Sequence, residues 1–143
     1  MTPNTRKIDR ETKEVAEFLS VVRVGEVPSL DADFAEKVLD TISWIQQYRS
    51  RCLPEEMSAW FQQMQKCLGS SYANVVEGES RGTRLNILNF LRMARGSIYE
   101  ALAWAKVSGE PELVRLTLSA AESFDRYAEA ALKSLLDSGP GGE

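Results

Sequence analysis

The sequence predicts an all-α protein, an up-down-up-down antiparallel four-helix bundle with a short extra N-terminal segment. Three observations carry that expectation. Four stretches between Ser29 and Leu136 repeat apolar residues at spacings of three and four, the period of one helix face. Pro28, Pro54, the Gly78 to Thr83 junction and Gly109 with Pro111 punctuate these stretches. The connections left between them are short, which favours antiparallel neighbours that bury four apolar stripes against one another.

A chain of 143 residues fits one domain and can bury a shared core. The expected division is an N-terminal extension over 1–28, a bundle over 29–137 and a disordered tail over 138–143, where the chain reads SGPGGE. In the extension, Ile8, Val15, Phe18, Leu19 and Val22 stand at helical spacing, which favours a short helix ending near Val24-Gly25. The β-branched run LSVVRVGEV leaves a short strand as the alternative.

The first bundle helix starts at Ser29 or Asp31, either of which can accept from free N–H groups of a first turn. Its stripe is Phe34, Val38, Leu39, Ile42 and Ile45, with Ala35 and Trp44 at the margins and Arg49 and Arg51 near the dipole-favoured C-terminus. Pro54 then opens the second helix, with Glu55 and Glu56 behind it. Those glutamates read as first-turn charges, since adjacent residues point different ways on a helix. The second stripe runs through Met57, Trp60, Phe61, Met64, Cys67, Leu68, Ser71, Tyr72, Val75 and Val76, and Gly78 takes the place of a left-handed C-terminal cap.

Thr83 is the natural N-cap of the third helix, with Asn86 at the third position. Ile87, Phe90, Leu91, Ala94, Ile98, Ala101, Leu102 and Ala105 make its apolar face, and Gly109 ends it. At about 100° per residue, Arg84, Arg92, Arg95 and Lys106 share a strip with Leu88 and Tyr99. Gly96-Ser97 is expected to face away from that strip and to let another helix backbone come close. Pro111, beside Glu110 and Glu112, starts the fourth helix. Leu113, Leu116, Thr117, Ala120, Phe124, Tyr127, Ala131 and Leu135 carry its seam.

Composition narrows function more by exclusion than by indication. The chain is 43% hydrophobic and 27% charged, with no apolar run near the roughly 18 residues that cross a bilayer. The polar start MTPNTRKIDRETKE is no signal peptide, so a cytoplasmic protein without membrane partners is expected. There is no histidine, which excludes Ser-His and Cys-His nucleophiles and His-ligated metals. Cys52 and Cys67 lack metal-ligand spacing and read as small buried thiols. The expectation is a protein that is not an enzyme, with no catalytic residues, no metal and no cofactor.

Residues 72–100 carry a motif. Ala73-Asn74-Val75-Val76-Glu77-Gly78 is followed by Arg81 and Thr83, then Phe90-Leu91, then Ala94-Arg95-Gly96-Ser97-Ile98 and Glu100. This resembles the bacterial four-helix-bundle family first noted in intervening sequences of ribosomal RNA genes, with its pattern close to ANIAEG-x-G-R-x-S, F-x-x-FL and A-x-GS-L-x-E. Ser80, Asn86 and Ile87 depart from that pattern. The resemblance implies a non-catalytic bundle that assembles with itself into a ring, often a pentamer. It also implies kinship with accessory variability proteins of diversity-generating retroelements, which associate with a reverse transcriptase and with RNA or DNA through a basic ring.

Two main readings compete for Arg84, Arg92, Arg95, Tyr99 and Lys106, with binding of an acidic protein as a third. The chain is −4 overall, yet residues 81–108 hold five basic side chains against Glu100 alone. A phosphate-contacting strip, with Tyr99 stacking on a base, is one reading. In the other, Glu122, Asp125 and Glu129 on the fourth helix neutralise the strip, Arg95 standing level with Glu122 or Phe124, Arg92 with Asp125 or Arg126, and Lys106 with Glu112. Around the junction, Glu77 and Arg81 read as a clamp, Asn74 as a bond to backbone across the hairpin, and Glu100 as structural.

Overall fold

The computed structural model describes residues 27–52 and 55–137. Four helices account for nearly all of them: α1 is Val27–Cys52, α2 Glu55–Arg81, α3 Arg84–Ser108 and α4 Pro111–Asp137. The expected extension up to residue 26, with its choice between helix and strand, lies outside the described residues, as do Pro54 and the tail. Successive helices pack antiparallel, and α1 closes the bundle along α4. That closure is antiparallel too. Asp33, near the start of α1, accepts from Ser123 Oγ at 2.5 Å, and Tyr48, near its end, donates to Glu110 beside the start of α4 at 2.8 Å.

The apolar stripes meet in one core. Phe34, Phe61, Leu68, Ile98, Leu113 and Phe124 are at most 1% exposed. Phe34 on α1 meets Phe124 on α4 edge-on at 5.4 Å between ring centroids, and Tyr72 on α2 at 6.4 Å. Toward the other end Trp44 stacks on Tyr48 at 4.9 Å, and Trp60 meets Trp104 edge-on at 5.9 Å. Two large apolar residues assigned to stripes are exposed: Leu39 is 61% and Val76 44% exposed. Each sits one position from a fully covered neighbour, Val38 and Val75, at the edge where the stripe turns to solvent.

Helix ends follow elementary capping, with two corrections. Thr83, at φ −81° and ψ 145°, accepts from the Asn86 N–H at 3.2 Å, as an N-cap does. Gly109 closes α3 in the left-handed region at φ 73°, its N–H on Lys106 O. Neither Ser29 nor Asp31 caps α1, because the helix is already formed at Val27 with Pro28 in its first turn. Gly78 does not end α2 either. The helix continues to Arg81, and the left-handed residue is Gly82 at φ 72°. Gly78 instead makes room between helices. A Cβ there would lie 2.9 Å from Phe90 Cβ, so the missing side chain lets α2 and α3 approach.

The remaining junction residues are spread along the seam between α2 and α3. Arg81 Nε donates to Glu77 Oε1 at 2.8 Å while its guanidinium lies 5.9 Å from the Phe90 ring centroid, which ties the end of α2 to α3. Asn74 does not reach across the hairpin. It donates to Ser70 O within its own helix at 2.9 Å, and the crossing is made by the Ser70 and Ser97 hydroxyls, 3.3 Å apart. Glu100 stands beside Cys67, a buried free cysteine whose thiol is pushed up by burial first and by Glu100 second. A raised pKa favours the protonated thiol, the less reactive form.

Candidate functional site

The antiparallel return at Gly109 sets α3 and α4 side by side, and this pairing decides what the basic strip can do. Tyr99 donates to Asp125 Oδ2 at 2.5 Å, and the hydrogen bond pushes the phenol pKa up. Arg95 lies with its guanidinium 5.1 Å from the Tyr99 ring centroid and its Nε 4.0 Å from Asp125 Oδ1. Asp125 therefore holds Tyr99 firmly and Arg95 loosely, in a register slightly shifted from the expected Glu122 or Phe124.

The rest of the expected neutralisation does not form. Arg92 has no ion pair among the described residues, nor have Glu122 and Glu129. Lys106 stands exposed in the last turn of α3, where the helix dipole favours it, while Glu112 pairs with Arg115 on its own helix. Arg84 opens α3, away from the Arg92–Tyr99 pair of turns. The strip thus divides into a central cluster, Arg92, Arg95 and Tyr99, and two outlying cations.

Two cavities adjoin that cluster. One, of about 390 Å³, is lined by Arg92, Arg95, Gly96 and Tyr99. The other, of about 190 Å³, lies between the helices and is lined by Leu88, Leu91, Phe124, Ala128 and Leu132, with Arg92 and Arg95 on its edge. Gly96 therefore lies on the strip, not opposite it. No atom comes within 4 Å of where its Cβ would be, so the close helix approach expected there occurs at Gly78 instead.

A second polar cluster was not anticipated. Near the end of the bundle where α1 begins, Tyr127 on α4 donates a short hydrogen bond to Glu79 on α2. Burial pushes the Glu79 carboxyl up, against the pull of the Tyr127 hydroxyl, and nearby Asp31 adds to the rise. Asp31 is raised by burial as well, and its Oδ1 is buried with no hydrogen-bond partner among the described residues. One signal for this cluster was present: Glu79 follows Val75 by four and Tyr72 by seven, on the core face of α2. Ending the helix at Gly78 hid it.

A carboxyl raised on folding contributes stability that is complete below its unfolded value, near 4.5 for Glu79, and lost as pH climbs through the folded value. Glu79→Gln, which keeps an acceptor for Tyr127, is therefore expected to raise stability at neutral pH and to flatten its decline above pH ~4.5. Tyr127→Phe leaves the carboxylate without its donor and is expected to cost about 1–2 kcal/mol at neutral pH. Urea melts of both variants across that range are the check.

No candidate metal cluster of three or more His, Cys, Asp or Glu exists among the described residues, and no described helix is long and apolar enough to cross a membrane. Comparison with family models, with characterised proteins and with solved structures returns no match to the chain.

Proposed function

We propose that the chain is a non-enzymatic, oligomeric four-helix-bundle scaffold or adaptor whose α3–α4 face receives a protein partner. The observation that carries this is the pair of adjoining cavities sharing Arg92 and Arg95, one of them floored by apolar side chains. An apolar floor suits a protein side chain better than a phosphate backbone, and Glu122, Asp125 and Glu129 on the adjacent helix oppose phosphate. Self-association has separate support. On the outer side of α3, Leu85, Met93 and Val107 are 68%, 55% and 70% exposed and fall within about 80° of one another.

The resemblance at residues 72–100 adds the form of the oligomer, a ring with a pentamer favoured, built by head-to-tail contacts that close. Light scattering is the test. A mass several times 16.0 kDa is expected, falling toward one chain on Leu85→Glu with Val107→Glu. A strict monomer at micromolar concentration removes the oligomeric part.

A second reading, contact with RNA or DNA alone or alongside a reverse transcriptase, is favoured by Arg92, which lines an open cavity with Tyr99 and has no described carboxylate partner. It requires binding at low salt that weakens on Arg92→Glu and Arg95→Glu, since each lost phosphate contact lowers both affinity and its salt dependence. Absence of binding at low ionic strength removes this reading.

A further inference from the structure

We infer that the groove between α3 and α4 takes one face of an amphipathic partner helix, carrying a large apolar anchor and, one turn away, a carboxylate. This rests on the adaptor reading and supplies the chemistry of the partner. The inner cavity, at about 190 Å³, is smaller than the roughly 300–1,000 Å³ of sites built for small molecules or cofactors. Its walls, Leu88, Leu91, Phe124, Ala128 and Leu132, are wholly apolar away from the arginine edge. It is sized and lined for a single large apolar side chain.

The arginines specify what flanks that anchor. Arg92 has no ion pair among the described residues, and the Arg95 side chain is 67% exposed with its carboxylate partner at 4.0 Å. Arg92 can turn toward an incoming carboxylate without breaking a pair, and Arg95 by giving up its loose contact with Asp125 and its place over Tyr99; charge-assisted guanidinium–carboxylate bonds are the strong kind. Leu88, Arg92 and Arg95 follow one another by a turn along α3. A helix lying along the groove presents residues at the same spacing, since positions three and four apart are about 5–6 Å from each other on a helix surface. Beside the arginines, the open space over Gly96 removes the side chain that would hold a partner backbone away. The arrangement is a helix-in-groove site with an acidic preference.

The α4 helix of a second copy carries related chemistry, with Leu118 and Leu136 43% and 81% exposed and Glu122 and Glu129 exposed between them. Leu132 of that same helix lines its own groove, so a second copy that offered α4 would enter as a two-fold dimer covering both grooves at once. Arg92→Glu dissociates such a dimer, whereas loss of a separate partner helix leaves the mass of the chain's own assembly unchanged.

The test is fluorescence anisotropy of a labelled synthetic helical peptide with leucine and glutamate one turn apart along one face. Two control peptides replace the glutamates by lysine or the leucines by alanine. The acidic peptide is expected to bind saturably and both controls about tenfold more weakly. Arg92→Glu, at an exposed position, is expected to reverse the preference toward the lysine peptide, and Ala128→Trp to abolish binding with helix content unchanged by circular dichroism. Equal binding of acidic and basic peptides, no saturable binding, or acidic-peptide affinity unchanged in Arg92→Glu overturns the inference. So does a wild-type dimer that Arg92→Glu dissociates, which would put a second copy in the groove. A ring by light scattering without peptide binding removes this inference and leaves the scaffold, whereas a monomer that binds the peptide does the reverse.

Discussion

Phe34→Ala is expected to lower the free energy of unfolding by about 3–5 kcal/mol, the range for removing a fully buried aromatic side chain. Phe34 is 0% exposed and meets Tyr72 and Phe124, so it fastens α1 to both α2 and α4. Domains of this size are stable by only about 5–15 kcal/mol, so the variant should sit near the edge of unfolding at ambient temperature. Urea denaturation followed by circular dichroism measures it. A double-mutant cycle with Phe124→Leu should show coupling of about 0.5–1.5 kcal/mol, the value of an edge-on aromatic pair beyond its buried area. A single-variant loss below about 1 kcal/mol would contradict the packing of α1 between α2 and α4.

Gly78→Val should cost about 3 kcal/mol, at the upper end of overpacking penalties. The added Cβ would lie 2.9 Å from Phe90 Cβ, with Phe90 Cγ and Ile87 Cα within 3.8 Å, so the methyl groups have little room either. Because the obstructing atom is a Cβ, Phe90→Ala in the same chain should give no rescue. Gly78→Ala meets the same contact but gains about 1 kcal/mol of helix propensity, so it should be milder. Gly96→Ala, with open space around its Cβ position, should be stabilising by up to about 1 kcal/mol. Opposite signs at two glycines inside helices would confirm that only one of them is a contact. Thermal melts of the three glycine variants decide it.

What the sequence reveals is periodic or local. The stripes of α3 and α4, the Thr83 cap and the Gly109 and Pro111 boundary need only neighbours within a turn to specify them, and all are found where their residues predict. Gly78 and Gly82 show the limit. Both are glycines near one helix end, and local rules cannot tell a left-handed cap from a contact glycine, because the contact atom belongs to Phe90 on the next helix. Asp31 shows it again: a good cap residue, it stands inside α1 because the helix begins earlier, and it lies near Glu79 of another helix. The Tyr99, Arg95 and Asp125 grouping was legible as two facing charged strips, but its register was not. Arg92 thereby remains available where full neutralisation was one expectation. The groove floor could not be anticipated, since Leu88, Phe124 and Leu132 become neighbours only once α3 and α4 are paired.

The closure of α1 along α4 has a kinetic consequence. The hydrogen bond from Ser123 to Asp33 joins residues 90 apart, whereas α2 with α3, and α3 with α4, are hairpins joined by tight turns. Distant contacts must meet loop-closure entropy before they stabilise anything, so the docking of α1 along α4 is expected to come late, on the native side of the folding barrier. Changes at Phe34 should then appear mainly as faster unfolding with little change in the folding rate. The lifetime of the closed bundle is governed at the seam where its first and last helices meet.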